Sequence, residues 1–248
     1  RLLDAINNRE FVVHYQPIIE LSSGKIVGAE ALTRWPQPDG SSLSPDIFVP
    51  LAEQTGLISQ LTHLVIEKVF EDMGYWLHLH AGQHISINLA PADLTSGKLP
   101  PLLSHLMNKW KVHPQQIALE LTERGFADPK ISAPAIAAFR HSGHAIYIDD
   151  FGTGYSSLSY LQDLDVDTLK IDKAFVDALE YKNVTPHIIE MAKSLKLAMV
   201  AEGVETEGQL AWLRRHGVQY GQGWYYSKAL PKADFILWAE DNLKTHPT

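Results

Sequence analysis

The chain of 248 residues contains no cysteine, so disulfides and thiolate metal sites are excluded. A reducing compartment is compatible with this composition. The sequence also lacks an apolar run of the length that a membrane-spanning helix needs. Because the first residue is Arg1 rather than Met, we expect the chain to be a fragment of a longer protein.

Basic residues are scarce relative to acidic ones. The chain has 21 Lys and Arg against 29 Asp and Glu, which gives a net charge of −8 at neutral pH. This balance argues against binding of nucleic-acid polymers, which normally requires a basic face. It leaves open a small phosphate ligand held through metal ions, since metal-binding carboxylates would add to the negative charge. Ordinary acidic solubility is the alternative.

Segments rich in β-formers alternate with segments of helical pattern. Strands are predicted at 11–19, 26–35, 84–89, 117–121, 145–149, 168–171, 198–201 and 218–224, and helices at 2–9, 46–56, 59–81, 99–110, 133–142, 156–163, 185–195, 205–216 and 233–242. The alternation indicates a parallel sheet, and eight strands in about 250 residues favour a closed α/β barrel. Only a turn separates the first two strands, so one of them is expected to be antiparallel. Pro17 is expected to end the first strand, and 1–248 is expected to be one domain.

The segment 147–158, YIDDFGTGYSSL, reads as a strand, an acidic tip, a glycine loop and the start of a helix. Adjacent carboxylates such as Asp149 and Asp150 are costly unless something neutralises them, and a divalent metal ion is the usual solution. Successive strand residues face opposite ways, so both side chains reach one site only where the strand breaks into a loop. A plain surface turn is the alternative.

Polar residues also lie at the ends of nearly all the other predicted strands. In such barrels the active site lies at the carboxyl ends of the strands. The residues at those ends are Gln16, Glu30, Arg34, Asn88, Glu120, Glu123, Asp149, Asp150, Lys170, Asp172, Glu202, Glu205 and Gln222. Each alone has a structural alternative, such as a rim salt bridge for Arg34. Together, carboxylates and an amide with one lysine have the composition of a site for Mg²⁺ or Mn²⁺.

Six motifs resemble, in order, the signature set of the EAL-domain cyclic di-GMP phosphodiesterases. They are Glu30-Ala31-Leu32 with Arg34-Trp35, Glu120-Leu121-Thr122-Glu123, the run 149–158, Leu169-Lys170-Ile171-Asp172, Ala201-Glu202-Gly203-Val204-Glu205 and Gln222-Gly223. The resemblance covers essentially the whole chain. It implies a modified TIM (β/α)8 barrel with one antiparallel strand. It also implies hydrolysis of cyclic di-GMP to linear pGpG with two divalent cations, Mg²⁺ or Mn²⁺.

The resemblance also implies a role for each matching residue. The residues that match ligands of the first metal are Glu30, Asn88, Glu120 and Asp149, and those that match the second metal site are Asp149, Asp150 and Glu202. Lys170 matches a lysine near the attacking water, and Glu123 matches a glutamate that steadies the glycine loop. The matches to substrate contacts are Gln16, Leu32, Arg34 and Gln222, while Asp172 and Glu205 are assigned to substrate or loop contacts. Glu202 is also the candidate acid or base helper.

Two alternatives stay open beside an active phosphodiesterase. One is a catalytically silent domain that binds cyclic di-GMP as a sensor; loss of a metal ligand or of the loop glutamate would favour it, but all matching positions are filled. The other is an unrelated Mg²⁺-dependent barrel enzyme. The resemblance further implies a homodimer and an upstream sensory or membrane region. The domain would then lie on the cytoplasmic side of a protein anchored in the bacterial inner membrane.

Three aromatic residues, Trp224, Tyr225 and Tyr226, follow Gln222-Gly223 directly. They could stack on a guanine base or pack in the core under the last helix. The sequence leaves both possibilities open.

Overall fold

The computed structural model describes residues 1–122, 125, 129–151, 165–179 and 184–246, without the side chains of Pro129 and Ile131. Glu123, the glycine loop and the helix predicted at 156–163 lie outside the described residues.

The strands of the described chain form one sheet that closes on itself. They are β1 (Val12–Glu20), β2 (Ile26–Pro36), β3 (Ser42–Leu43), β4 (His84–Leu89), β5 (Ile117–Thr122), β6 (Ile146–Phe151), β7 (Thr168–Ile171), β8 (Ala198–Ala201), β9 (Tyr220–Gly221) and β10 (Leu230–Pro231). From β2 through β4 to β9 neighbouring strands are parallel, and β1 closes the ring by antiparallel pairing with both β2 and β9. The predicted barrel with one antiparallel strand is confirmed, and β3 and β10 are short additions to β2 and β1.

Helices surround the barrel. They are α1 (Leu2–Asn7), α2 (Pro45–Gln54), α3 (Ile58–Leu79), α4 (Pro91–Thr95), α5 (Leu99–Trp110), α6 (Pro129–His141), α7 (Lys173–Asp177), α8 (Val184–Ser194), α9 (Glu207–Arg215) and α10 (Lys232–Thr245), with a 3₁₀ turn at Pro114–Gln116. Within the part of the chain that the structure describes, none of them is long and apolar enough to cross a membrane.

The short helices α4 and α7 were not predicted, because five residues are too few to show a helical period. A side chain caps each of them instead. Asp93 accepts a hydrogen bond from the backbone N–H of Ala90 (2.9 Å), and Asp172 accepts one from the backbone N–H of Ala174 (2.8 Å). Such caps satisfy amide donors that the first turn of a helix leaves without partners.

Alternation along the strands separates the hydrophobic core from the barrel interior. On β5, Ile117, Leu119 and Leu121 join the core between the sheet and the helices. Glu120 has the opposite parity and meets Lys170 inside the barrel. The period of two in strand side chains therefore places the polar residues on the inner face.

The expectation that Pro17 ends the first strand was wrong, because β1 continues to Glu20. Pro17 lies between the residues of β1 that pair with β10 and those that pair with β9. A proline is tolerated in a strand where its nitrogen is not needed for the ladder. The last barrel strand is also shorter than predicted, with only Tyr220–Gly221 in place of 218–224.

Candidate active site

A buried lysine lies at the centre of the carboxyl ends of the strands. Lys170 is fully buried, and its Nζ lies 2.7 Å from Glu202 Oε1 and 2.8 Å from Glu120 Oε2. The same nitrogen lies 3.2 Å from both Glu30 Oε2 and Asp149 Oδ1. Residues from β2, β5, β6 and β7, with one just after β8, therefore meet at one point inside the barrel.

The charges of this cluster do not balance. Four carboxylates surround one ammonium, so three negative charges are left over if all are ionised. Burial, followed by the charge of Glu30, raises the pKa of Glu120 well above its usual value, and burial raises the pKa of Glu202 to about 8. Burial would lower the pKa of Lys170, but the surrounding carboxylates raise it well above its usual value. Among the residues that the structure describes, Lys170 is the cation that these four carboxylates contact, so their negative charge exceeds its positive charge.

The carboxylates fall into two groups that share Asp149. The ligand atoms of Glu30, Glu120 and Asp149 all lie within 4.8 Å of one another, and the same is true of Asp149, Asp150 and Glu202. Glu120 Oε1 is buried without a hydrogen-bond partner. An unpartnered carboxylate oxygen among surplus negative charges fits a bound cation, and an all-oxygen donor set suits Mg²⁺ or Mn²⁺.

A β-bulge allows both neighbouring aspartates to join one group. In the β6–β7 ladder Ile148 pairs with Leu169 and Phe151 with Ile171, so Asp149 and Asp150 together oppose one residue. Asp150 has a left-handed backbone with φ of 55°, and its N–H donates to Asp149 Oδ1 at 2.9 Å. Such a bulge re-aims consecutive side chains. The two carboxylates therefore converge within the strand, without the break into a loop that the sequence led us to expect.

Two amides hold the carboxylates in place. Gln222 Nε2 donates to Glu30 Oε2 at 2.6 Å and to Glu202 Oε1 at 3.1 Å, and Asn88 Nδ2 donates to Glu30 Oε1 at 2.9 Å. Burial raises the pKa of Glu30, but the charge of Lys170 and these hydrogen bonds outweigh burial and lower it overall. The contact of Asn88 uses its amide nitrogen, whereas a cation would use its amide oxygen.

Gly223 brings Gln222 to the cluster by close backbone packing. A Cβ on this residue would lie 2.2 Å from the backbone N and O of Val204, which no real side chain could tolerate. The close approach allows Val204 N–H to donate to Gln222 O (3.0 Å) and Tyr225 N–H to donate to Val204 O (2.9 Å). The segment after β9 is therefore fixed against the segment after β8.

Comparison with known proteins decides the family. The family model of the EAL domain matches residues 1–229. The chain belongs to the EAL family.

Curated relatives of this EAL domain carry names of cyclic di-GMP enzymes. It is 71% identical over 243 residues to the probable cyclic di-GMP phosphodiesterase PdeB of Escherichia coli K12, with 98% of this chain and 47% of that protein covered. It is 36% identical over 239 residues to the cyclic di-GMP phosphodiesterase NbdA of Pseudomonas aeruginosa, with 94% and 30% covered. The EAL domain thus spans about half, or less, of the length of these relatives.

A solved structure, the PaMucR phosphodiesterase in complex with c-di-GMP, has the same fold. It superposes with a TM-score of 0.87 at 34% identity, with 94% of this chain and 99% of that chain covered. The barrel described above is therefore the fold of this family.

The predicted substrate residues of the EAL domain lie at different depths around the mouth. Gln16 lies opposite Glu30 in the β1–β2 ladder, and its Nε2 donates to Ser227 O at 3.3 Å. Arg34 lies near the carboxyl end of β2 and is half-buried. Its Nη1 donates to Thr33 O at 3.0 Å.

His14 was not among the predicted site residues. It lies two residues before Gln16 and opposite Leu32, so alternation puts it on the same face of β1 as Gln16. Burial, followed by the charge of Arg34, lowers its pKa. The same alternation could have identified His14 from the sequence.

Asp172 and Glu205 lie outside the group around Lys170. Asp172 caps α7, and its charge contributes, after burial and Asp149, to raising the pKa of Asp150. Glu205 is exposed and accepts a hydrogen bond from Lys173 Nζ at 2.8 Å. Their assignment to substrate or loop contacts stays a prediction, as does that of Glu123.

Proposed function

We propose that this EAL domain hydrolyses one phosphodiester bond of cyclic di-GMP to linear pGpG with two divalent cations, Mg²⁺ or Mn²⁺. The observation that carries the proposal is the pair of carboxylate groups that share Asp149 beside the buried Lys170. The names of the relatives supply the substrate, because the geometry alone fits any phosphodiester.

The carboxylate groups suit two cations whose separate sites share one ligand. Glu30, Asn88, Glu120 and Asp149 would hold the first, and Asp149, Asp150 and Glu202 the second. Two such ions would make a bound water more acidic and would compensate the negative charge of the attacking and leaving oxygens. The shared carboxylate keeps the two sites close together.

Lys170 contributes a fixed positive charge. Its neighbouring carboxylates raise its pKa well above the usual value, which favours the ammonium form. Placed beside the reacting phosphate, it orients the water and attracts the developing negative charge.

Proton transfer falls to Glu202. Hydrolysis forms a bond between the water oxygen and phosphorus and breaks the bond from phosphorus to the ribose 3′ oxygen. One proton passes, net, from the water to that leaving oxygen. Burial raises the pKa of Glu202 to about 8, whereas a cation bound nearby would lower that pKa. A group poised in this way can exchange a proton during the reaction.

The mouth of the barrel would position the dinucleotide. The residues proposed to contact it are Gln16, Leu32, Arg34 and Gln222. Asp172 and Glu205 are proposed for substrate or loop contacts. The planar guanidinium of Arg34 suits a forked pair of hydrogen bonds to phosphate oxygens.

A second part of the proposal concerns the protein beyond the EAL domain. Its relatives are at least about twice as long as this chain, which supports a further sensory or membrane region joined to the EAL domain. We propose that the domain works as a homodimer on the cytoplasmic side of the inner membrane, where it lowers the level of the second messenger and binds no nucleic-acid polymer.

The test is incubation of the purified chain with cyclic di-GMP and Mg²⁺ or Mn²⁺, with EDTA as control and chromatography of the nucleotides. Metal-dependent appearance of pGpG is expected. Ca²⁺ should bind but support little turnover, because its larger radius and looser geometry suit the two sites poorly. If cyclic di-GMP binds but is not cleaved with any of these metals, the domain is a catalytically silent sensor rather than an enzyme.

A further inference from the structure

The turn that follows Gln222 connects two residues of the candidate site. At its start, Gln222 Nε2 donates to Glu30 and Glu202. Near its end, the carbonyl of Ser227 accepts a hydrogen bond from Gln16 Nε2 at 3.3 Å. We call residues 223–228 the aromatic turn. Because both of its ends contact the site, the turn lies at the mouth of the barrel.

This turn exposes aromatic surface. Trp224 is 62% exposed and Tyr225 42% exposed, whereas Tyr226 is half-buried and packs against the hydrophobic core. Core packing therefore accounts for Tyr226 but not for Trp224. A large aromatic ring held out at the mouth of a site offers a flat apolar surface to a ligand.

The ammonium group of Lys228 lies over the ring of Trp224. Lys228 Nζ lies 4.3 Å from the centre of the indole ring, within cation–π distance. The contact restrains the ring and keeps a positive charge beside it. Such a charge matters here, because the chain as a whole is acidic and the site holds surplus carboxylates.

We propose that Trp224, with Lys228 beside it, is a stacking platform for one guanine base of the dinucleotide at the mouth of the site. The proposal rests on the proposed function and adds a binding group for the part of the substrate remote from the reacting phosphate. Stacking on an aromatic ring suits any nucleobase, and an adjacent ammonium favours an anionic nucleotide.

The test compares a substrate that has guanine with one that lacks it. Trp224→Ala, Trp224→Phe and Lys228→Met are assayed on cyclic di-GMP and on bis(p-nitrophenyl) phosphate, each with Mn²⁺. Tyr75→Ala is the matched control, since Tyr75 is 67% exposed near the end of α3, at the opposite end of the barrel.

Trp224→Ala is expected to raise the KM for cyclic di-GMP about 10- to 100-fold, the range of one lost base stack, with kcat changed less than about threefold. Cleavage of bis(p-nitrophenyl) phosphate should change little. Trp224→Phe should recover most of the affinity, Lys228→Met should raise KM less than Trp224→Ala does, and Tyr75→Ala should match the parent.

Two results would overturn the platform. One is an unchanged KM for cyclic di-GMP in Trp224→Ala; the other is an equal loss on both substrates. Binding of cyclic di-GMP, measured by calorimetry in Ca²⁺, keeps this inference separate from the proposed function. A parent that binds cyclic di-GMP in Ca²⁺ but does not cleave it with Mg²⁺ or Mn²⁺ refutes hydrolysis. A weaker affinity of Trp224→Ala in Ca²⁺ still supports the platform, and an equal affinity refutes it.

Discussion

The two ends of the barrel both bury polar side chains, but in opposite ways. At the amino ends of the strands the groups are neutral: Gln116 Nε2 donates to the backbone carbonyls of Leu77, His80 and Gln83 at 2.8, 3.1 and 3.1 Å. At the carboxyl ends the groups are charged, and four carboxylates face Lys170. Neutral groups bonded to backbone stabilise the fold, whereas like charges held together destabilise it.

Lys170→Met should have the largest effect on stability at the charged end of the barrel. The change leaves the carboxylates buried without their counter-charge, so the free energy of unfolding in EDTA should fall by about 3–5 kcal/mol. Urea unfolding measures this, and Mn²⁺ should recover part of the loss. Lys173→Met is the control, since Lys173 is exposed three residues further on and should change stability by at most about 0.5 kcal/mol. A loss below 1 kcal/mol for Lys170→Met would mean that the carboxylates do not depend on this lysine.

Glu120→Gln should separate activity from stability at the charged end. Glutamine keeps the size of Glu120 and removes its negative charge, which burial and the charge of Glu30 disfavour by raising the pKa of Glu120. Stability in EDTA should stay within about 1 kcal/mol of the parent. Hydrolysis of cyclic di-GMP should fall more than about a hundredfold, since even residues behind metal ligands often contribute up to that factor. Activity within tenfold of the parent would remove Glu120 from the proposed first metal site.

At the neutral end of the barrel, His84 should make the stability of the fold depend on pH in acid. This imidazole is half-buried and contacts the Tyr147 hydroxyl, and its loss of solvent lowers its pKa from 6.5 to about 4. The unfolded chain therefore takes up a proton below pH 6.5 that the folded chain takes up only near pH 4. Stability is fully present above pH 6.5 and falls by about 3 kcal/mol as the pH drops to 4.

Urea unfolding of the parent and His84→Gln between pH 7.5 and 4 isolates this contribution. The stability of the parent should fall more steeply than that of the variant. Parallel curves would show that His84 ionises alike in the folded and unfolded chain.

Gln116→Ala should show the reverse pattern to Glu120→Gln, with the smallest effect on activity and a loss of stability. Three backbone carbonyls lose their amide donor, which should lower the free energy of unfolding by about 1–3 kcal/mol. The kcat/KM for cyclic di-GMP should remain within about twofold. Gln115→Ala, at an exposed neighbour, is the control. A large loss of activity without loss of stability would contradict the division between the two ends.

The sequence predicted the elements of the barrel well where strands were buried on both faces. The predicted strands at 84–89, 168–171 and 198–201 have the bounds of β4, β7 and β8. Alternation with helices indicated the parallel ring, and the short turn after the first strand indicated the antiparallel member. Helices α4 and α7 were missed because capping side chains, not a long apolar stripe, define them.

The arrangement of the site could be predicted only in part. The sequence identified the carboxylates and the lysine, but not that Lys170 is buried among four of them. That depends on the register of separate strands, which no local pattern records. The bulge at Asp149 and Asp150 was missed for a related reason, since it requires a left-handed residue other than glycine. Gly223 was in the motif, but its role depends on Val204, nineteen residues earlier.

If the surplus carboxylates hold two cations that share Asp149, equilibrium dialysis against Mn²⁺ can count these ions on the parent and on Asp149→Asn. About two Mn²⁺ per parent chain are expected. Asp149→Asn should lose both at the same free concentration, because Asp149 belongs to both groups. A parent chain that binds no Mn²⁺, or an Asp149→Asn chain that binds as many ions as the parent, would show that the carboxylates do not form this pair of sites.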